Sequence, residues 1–339
     1  MSLYEAFQKF NIDAVGVCSA DAYNRVCGTD YKICIVALFP YFCGYTEGSN
    51  LSIYTHGMDY HLVTKKVLSS VAKSLDLADY QIHADIGPEI ERTLAVEAGL
   101  AFVGKNGLAI NDKYGSYFFI GYIACNADFE LSAPNTKTCM GCNKCINACP
   151  GGALGDSFNC DRCLSAITQK KGDLTPWEQE LIRKNGMVFG CDICQEVCPH
   201  NRDIDFTSIS EFSKNRICNI SSEDMEGLTN KTFKEKYGDR AFAWRGKAVL
   251  ERNINIINGK QTVFYTYRKF SGKISLRSCV YNTFKVVFIV IIFRNSIGRN
   301  IHKFIAINLN SYAVIHTFFS KSGNFNLKAE NQTVGRFFS

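Results

Sequence analysis

The chain has 339 residues, of which 46% are hydrophobic and 21% charged, with only 6 prolines. This composition is that of a globular protein and excludes a disordered, collagenous or low-complexity chain. The net charge of +6 is unevenly distributed, because residues 261–339 hold 11 basic residues and 1 acidic one, whereas residues 1–260 hold 27 basic and 31 acidic residues. Residues 261–339 are therefore strongly basic, whereas the rest of the chain is weakly acidic.

The apolar runs are too short for a membrane protein. The longest candidate, residues 286–293, is far below the roughly 20 residues that a spanning helix needs. The first ten residues lack the basic start and long apolar core of a signal peptide. We therefore expect a cytoplasmic protein with no membrane partner.

The first 135 residues are predicted to form a mixed α/β domain. Short apolar runs rich in β-branched and aromatic residues predict strands over 33–39 and 117–124. Apolar residues at helical spacing predict helices over 60–77 and 89–100. Residues 206–260 are polar and are predicted to be a short helical extension.

Cysteine is the most informative residue type. The chain has 16, and nine of them lie between Cys139 and Cys198. In a long chain without an export signal, clustered thiols indicate metal binding rather than a disulfide scaffold. The scattered remainder is interpreted as buried, unreactive thiols.

Residues 139–150 carry the C-x2-C-x2-C-x3-C-P run of bacterial ferredoxins, and residues 191–199 carry a second Cys-Pro-terminated run. In such proteins the fourth cysteine of a run binds the other cluster. Zinc is the alternative, since C-x2-C pairs also form zinc sites. Two runs that both end in Cys-Pro favour two 4Fe–4S clusters with crossed ligands.

The predicted double-cluster, ferredoxin-like module spans residues 136–205. We expect one cluster to be held by Cys139, Cys142, Cys145 and Cys198. We expect the other to be held by Cys149, Cys191, Cys194 and one intervening cysteine. Cys160 and Cys163 both lie between the runs, and the spacing alone leaves the choice between them open.

Three N-terminal stretches, at residues 54–61, 85–92 and 99–107, are dense in polar and glycine residues. Each has an ordinary structural explanation, such as Asp59 as a helix cap or Asp85 in a turn. The chain has no GxGxxG fingerprint and no Walker loop, so nothing supports a nucleotide site directly. Glycines near residue 105 would let the backbone approach a large ligand closely.

Taken in order, these stretches resemble one family. YTHGMDYH, DIGPEIER, AGLAFVGKN, CMGCNKCINACPGGAL, RCLSAIT and FGCDICQEVCPHN are similar to the motifs of cobalamin-dependent epoxyqueuosine reductases. The similarity runs from about residue 30 to 205, continues weakly to 260 and stops there. It implies an α+β protein: an N-terminal α/β cobalamin-binding domain akin to reductive dehalogenases, the ferredoxin-like module and the helical extension.

The resemblance also implies a function. Epoxyqueuosine at the wobble position of a tRNA would be reduced to queuosine, with electrons passing from an unidentified donor through two 4Fe–4S clusters to cobalamin. Asp85 would be the proton donor, and we expect burial to raise its pKa so that it can act as an acid. The motif RCLSAIT would make Cys163, not Cys160, the isolated ligand. Cobalamin contacts are expected from Tyr54, Gly57, Asp59, His61, Lys105, Asn106, Ser116 and Ser165.

Two other functions are compatible with these motifs: a corrinoid iron–sulfur reductase acting on a small molecule, and an electron-transfer module serving a partner. We expect a monomer. Residues 261–339 lack Asp, Pro, Trp and Met and contain 11 Phe. We interpret this basic tail as degenerate or translated out of frame, and the alternative is that its cations and rings bind tRNA.

Overall fold

The computed structural model describes residues 1–85 and 88–259, with only the backbone at residues 88 and 89, and the backbone of six strands between residues 262 and 330. The chain divides into two compact units, Met1–Ile254 and Asn255–Ser339. The first unit holds the predicted α/β domain, the ferredoxin-like module and most of the helical extension.

The elements of this first part of the chain alternate between short helices and strands. The strands are β1 (Val15–Ser19), β2 (Ile33–Pro40), β3 (Tyr80–Ala84), β4 (Phe102–Val103), β5 (Ala109–Ile110) and β6 (Phe118–Cys125). The helices are α1 (Leu3–Gln8), α2 (Asp21–Cys27), α3 (Tyr60–Ser74), α4 (Pro88–Glu97), α5 (Lys144–Ala148), α6 (Leu164–Gln169), α7 (Pro176–Asn185), α8 (Ile193–Glu196), α9 (Ser210–Ser213), α10 (Ser222–Met225), α11 (Asn230–Tyr237) and α12 (Lys247–Ile257).

The N-terminal domain is a sheet covered by helices on both faces. Its four antiparallel strands lie in the order β1-β2-β6-β3. Side chains alternate between the faces of a strand, and β2 is buried along its whole length. Ile35 and Phe39 therefore pack with α1 and α3, while Val36 and Leu38 pack with α2 and α4.

The predicted strands over 33–39 and 117–124 are confirmed as β2 and β6, and the predicted helices as α3 and α4. The α3 helix begins at Tyr60 because the Asp59 side chain accepts a hydrogen bond from the His61 amide. Strands β1 and β3 were not predicted. Both are five residues long, and each is defined by pairing with a strand that is distant in sequence.

The α+β fold class is confirmed, and so is the helical character of the extension, which contains α9 to α12. The ferredoxin-like module has little regular structure beyond α5, α8 and short turns. A two-stranded ribbon of β4 and β5 presents the loop at residues 104–108. Among the described residues, no helix is long and apolar enough to cross a membrane.

The second unit has a backbone of six antiparallel strands, paired in sequence order from the first to the last. They are β7 (Thr262–Tyr265), β8 (Ser278–Thr283), β9 (Val286–Arg294), β10 (Asn300–Asn308), β11 (Ala313–Phe319) and β12 (Phe325–Glu330). The predictions about the tail's origin and its side chains lie outside the described residues.

Deleting residues 261–339 tests the interpretation of the tail. We expect the shortened protein to keep about eight irons, as two cubane clusters require, and to bind cobalamin as the full chain does. Iron analysis and cobalamin titration after anaerobic purification measure both. If the shortened protein is insoluble, the tail is part of the fold and its interpretation as degenerate is wrong.

Candidate functional site

The four thiols predicted to hold the first cluster lie around one small cavity, of about 10 Å³. These thiols are Cys139, Cys142, Cys145 and Cys198. Gly141 and Asn143 have φ of 71° and 59°, a left-handed conformation that glycine and asparagine tolerate better than other residues. These two residues turn the chain sharply, so that closely spaced cysteines face the same cavity.

The second set of thiols lines a much larger cavity, of about 1230 Å³. Its members are Cys149, Cys163, Cys191 and Cys194. Burial above all, with smaller effects of Asp192, Cys163 and Cys149, raises the pKa of the Cys191 thiol to about 12. A bound metal would hold such thiols as thiolates despite this burial.

The structure places Cys163 with this second set and leaves Cys160 outside it. Cys160 is exposed and Cys163 half-buried, and only Cys163 lines the larger cavity. Between them, Arg162 Nε donates to the Gly151 carbonyl at 2.7 Å. A side chain at Gly151 would lie 1.9 Å from the Arg162 carbonyl oxygen. This close contact holds residues 160–163 against the turn that follows Cys149.

The larger cavity lies between the N-terminal domain and the ferredoxin-like module. Arg92 and Phe119 line it from the N-terminal domain, and Leu154 and Ser165 line it from the module. Pockets for small ligands usually enclose about 300–1,000 Å³. A cavity of 1230 Å³ therefore fits a large macrocyclic ligand.

Asn106 lines both the larger cavity and the small cavity of the first thiol set, and one of its polar groups has no partner in the described part of the protein. Its side chain is buried, and its Nδ2 makes no hydrogen bond, while its Oδ1 accepts from the Leu108 amide at 3.2 Å. An unsatisfied buried donor costs about 1–3 kcal/mol. A ligand with a hydrogen-bond acceptor at this point would remove that cost.

Three other predicted cobalamin contacts also line the larger cavity: Tyr54, Ser116 and Ser165. Burial raises the pKa of Tyr54, so its hydroxyl stays protonated at neutral pH, and it accepts from Gln169 Nε2 at 3.3 Å. Together with Asn106, these residues form a polar set on an otherwise largely apolar wall.

Four predicted contacts, Gly57, Asp59, His61 and Lys105, line neither the larger cavity nor the smaller one at Asp85. A side chain at Gly57 would lie 2.6 Å from the Phe212 backbone, so this glycine allows close packing of two segments. Asp59 caps α3. Lys105 lies at the small cavity of the first thiol set, where its Nζ donates to Asn143 Oδ1 at 2.8 Å.

Asp85 lines a third cavity, of about 250 Å³. Arg92, Ser116 and Phe119 line both this cavity and the larger one. It follows β3 directly and has a φ of 64°. The Tyr60 hydroxyl donates to Asp85 Oδ2 at 2.5 Å. The His61 Nε2 lies 3.6 Å from the same oxygen.

The expectation that burial raises the pKa of Asp85 is wrong for this structure. The nearby His61 lowers that pKa, and the hydrogen bond from Tyr60 does so too, against the opposing effect of burial. Asp85 is therefore a carboxylate at neutral pH. Tyr60 was not predicted as a site residue. The signal for it was its position at the capped start of α3, because the first residue of a helix often lies close to the end of a neighbouring strand.

Comparison with known proteins agrees with this geometry. Residues 138–201 match the family model of the 4Fe-4S double cluster binding domain. The family match therefore favours paired clusters over the zinc alternative.

Curated relatives extend the match beyond this module. An epoxyqueuosine reductase of Lactococcus garvieae is 36% identical over 217 residues, covering 62% of this chain and 61% of that protein. One from Prochlorococcus marinus is 30% identical over 239 residues, covering 68% of this chain and 77% of the relative. The chain spans only 53% to 61% of the length of the first relatives it matches.

Solved structures show the same fold. Epoxyqueuosine reductase from Streptococcus thermophilus has a TM-score of 0.64 at 28% identity, covering 75% of this chain and 79% of that one. An epoxyqueuosine reductase solved with an epoxyqueuosine-modified tRNA-Tyr stem loop has a TM-score of 0.63 at 26% identity, with the same coverage. Fold and site define an iron–sulfur protein of the double-cluster type. The chain belongs to the epoxyqueuosine reductase family.

Crossed ligation predicts which cluster a substitution damages. Replacing Cys198 by serine should disrupt the cluster held by Cys139 and its neighbours, because the Cys198 thiol lines their cavity. Electron paramagnetic resonance of the reduced protein, with iron analysis, measures which cluster is lost. Loss of the cluster at Cys191 and Cys194 instead would refute crossed ligation.

The pair Cys160 and Cys163 provides a matched comparison. Serine at Cys163 should lower the iron content, because that thiol belongs to the second set. Serine at Cys160 should leave iron content and activity near those of the wild type, because that thiol is exposed. Equal effects of the two substitutions would show that the assignment of Cys163 is wrong.

Proposed function

We propose that this protein acts in the cytoplasm and reduces epoxyqueuosine to queuosine at the wobble position of tRNA, using two 4Fe–4S clusters and cobalamin. One observation carries the proposal: the second thiol set lines the large cavity, and that cavity adjoins the smaller one at Asp85. Electron-donating and proton-donating groups therefore line two adjoining cavities. The family relationship and the relative solved with a modified tRNA stem loop support the choice of substrate.

The positions of the side chains around the cavities indicate which residues would hold the cofactors. The two thiol sets would hold the clusters, and Asn106, Tyr54, Ser116 and Ser165 would contact the corrin. The unpartnered Asn106 amide is the observation that best fits such a ligand. When bound, the clusters supply electrons singly and cobalamin supplies a low-valent cobalt centre that no side chain can provide.

The protein's own groups orient the substrate and control its protons. Phe118 and Phe119 line both cavities and give the space beside Asp85 an apolar wall. Tyr60 fixes the Asp85 carboxyl through its 2.5 Å hydrogen bond. In this arrangement Asp85, once it has taken up a proton, delivers it to the epoxide oxygen as the carbon–oxygen bonds break.

A small-molecule corrinoid reductase is the competing function, and tRNA analysis separates the two. We expect tRNA from a strain lacking this gene to accumulate epoxyqueuosine in place of queuosine, as measured by mass spectrometry of digested nucleosides. Restoring the gene should restore queuosine. Normal queuosine in the deletion strain would reject the proposed substrate.

Replacing Asp85 by asparagine tests the proton donor. The amide keeps the shape and removes the acid, so cobalamin, clusters and tRNA should still bind. General acid catalysis contributes about 10²- to 10⁴-fold, and single-turnover queuosine formation should slow by at least about a hundredfold. A chemical reductant replaces the unidentified electron donor in this measurement.

Asp128→Asn is the matched control, since Asp128 is exposed, pairs with Lys32 and lines neither cavity. Its rate should equal that of the wild type. If Asp85→Asn retains more than about a tenth of the wild-type rate, far above the loss expected for a general acid, Asp85 is a structural turn residue and the proton comes from elsewhere.

A further inference from the structure

Removal of an epoxide oxygen requires more protons than Asp85 can hold. Two carbon–oxygen bonds break, a carbon–carbon double bond forms, and the oxygen leaves as water after taking up two electrons and two protons. The cofactors of the proposed function account for the electrons. A single carboxyl group carries one proton at most, and at neutral pH Asp85 starts as a carboxylate because His61 and Tyr60 lower its pKa.

The side chain of His61 lies where a second proton could be stored. Its Nδ1 is 2.8 Å from Asp59 Oδ1, and its Nε2 is 3.6 Å from Asp85 Oδ2. A histidine between two carboxylates is stabilised in the protonated form. The hydrogen bond to Asp59 and then the nearby Asp85 carboxylate raise the pKa of His61 to about 9 against the opposing effect of burial.

We propose that His61 is the proton reservoir of this site: it recharges Asp85, so that both protons of one turnover pass from solvent through His61 to Asp85, while Asp59 holds the imidazole in place. This inference rests on the proposed function and gives His61 a role other than contacting cobalamin. His61 is a positioning and proton-storing residue, and Asp85 remains the group that touches the substrate.

The row of Asp59, His61 and Asp85 has the geometry that such a relay needs. Asp59 is fixed as the cap of α3 and is itself mostly buried, so it holds the Nδ1 proton and leaves the Nε2 proton on the side of Asp85. The imidazole stacks on the Tyr60 ring, with 4.1 Å between ring centres. The His61 side chain is 51% exposed, so solvent can return the proton that it gives away.

The direction of transfer follows from relative basicity. An imidazolium does not protonate a carboxylate of low pKa by itself. The oxygen that leaves carbon becomes an alkoxide or hydroxide, which is far more basic than either an imidazole or a carboxylate. Transfer from His61 through Asp85 to that oxygen is therefore strongly downhill once the bond begins to break.

Other charged side chains line the cavity at Asp85 and have to be compared with His61 as proton sources. Glu91 and Arg92 of α4 line it together with Tyr60 and Asp85. The Arg92 guanidinium is engaged by the Gly107 carbonyl. Because arginine keeps its proton at all relevant pH values, it cannot act as the reservoir.

The test is the pH profile of single-turnover queuosine formation. In the wild type the rate should fall as the pH rises through about 9, the pKa of His61, because the reservoir loses its proton. His61→Phe keeps the ring stacking and removes the proton, so this alkaline fall should disappear and the rate at pH 7.5 should drop at least about tenfold. Asp59→Asn should shift the fall towards lower pH, since it removes the carboxylate that stabilises the imidazolium.

Two further measurements separate proton storage from a structural role. Added imidazole should restore turnover to His61→Ala, whose site is open to solvent, and should not restore it to His61→Phe. The carbon-13 NMR titration of His61 in the folded protein should give a raised pKa that falls in Asp59→Asn, and this readout needs no turnover. His83→Gln, at a histidine that contacts Tyr23 and lines neither cavity, is the control and should keep the wild-type profile.

A wild-type pH profile in His61→Phe, or a His61 pKa near its ordinary value of about 6.5, would overturn the relay. Neither result touches the proposed function, which fails only if the wild-type protein forms no queuosine. Slow turnover in His61→Ala that imidazole does not restore would also reject proton storage and leave His61 as a packing residue.

Discussion

A buried carboxylate, Asp192, fixes the second thiol set relative to the N-terminal domain, and the large cavity depends on that contact. Asp192 follows Cys191 and accepts hydrogen bonds from Ser52 Oγ at 2.5 Å and the Ile53 amide at 2.7 Å. Its burial, which raises its pKa to about 6, is tolerable only because these donors are present. At Gly190 a side chain would meet the Ser52 Cβ at 2.3 Å, so the two segments can touch only because this residue is glycine.

A second buried polar contact joins the same two parts on the other side of the cavity. Gln195 Nε2 donates to the Ser116 carbonyl at 3.0 Å, and the Ser116 amide donates to Asn201 Oδ1 at 2.7 Å. Gly115 has a φ of 56° and leaves no space for a side chain beside Asn201. Buried polar networks of this kind specify one arrangement, because any displacement leaves unpaired groups. The ferredoxin-like module therefore forms a wall of the site, which argues against a free-standing electron-transfer module.

The proton-handling side of the site depends on aromatic stacking. The Tyr60 ring lies parallel to Phe119, with 4.0 Å between ring centres and 9° between planes. The His61 ring also stacks on Tyr60. Phe119 belongs to β6, so the central sheet positions the start of α3. The same rings separate the polar groups around Asp85 from the hydrophobic core beneath them. Rigid packing thus holds a partly exposed cluster of ionisable groups in place.

The sequence by itself determined the features that are local along the chain. The spacing within each cysteine run predicted the two clusters, because a cluster loop is built from neighbouring residues, and periodicity predicted β2 and α3. Spacing left the choice between Cys160 and Cys163 open, and the resemblance of the motif RCLSAIT favoured Cys163. Only the tertiary structure places Cys163 at the large cavity and Lys105 beside the first thiol set. It also reversed the expected pKa shift of Asp85. Burial and facing charges come from segments distant in sequence, so spacing along the chain cannot reveal them.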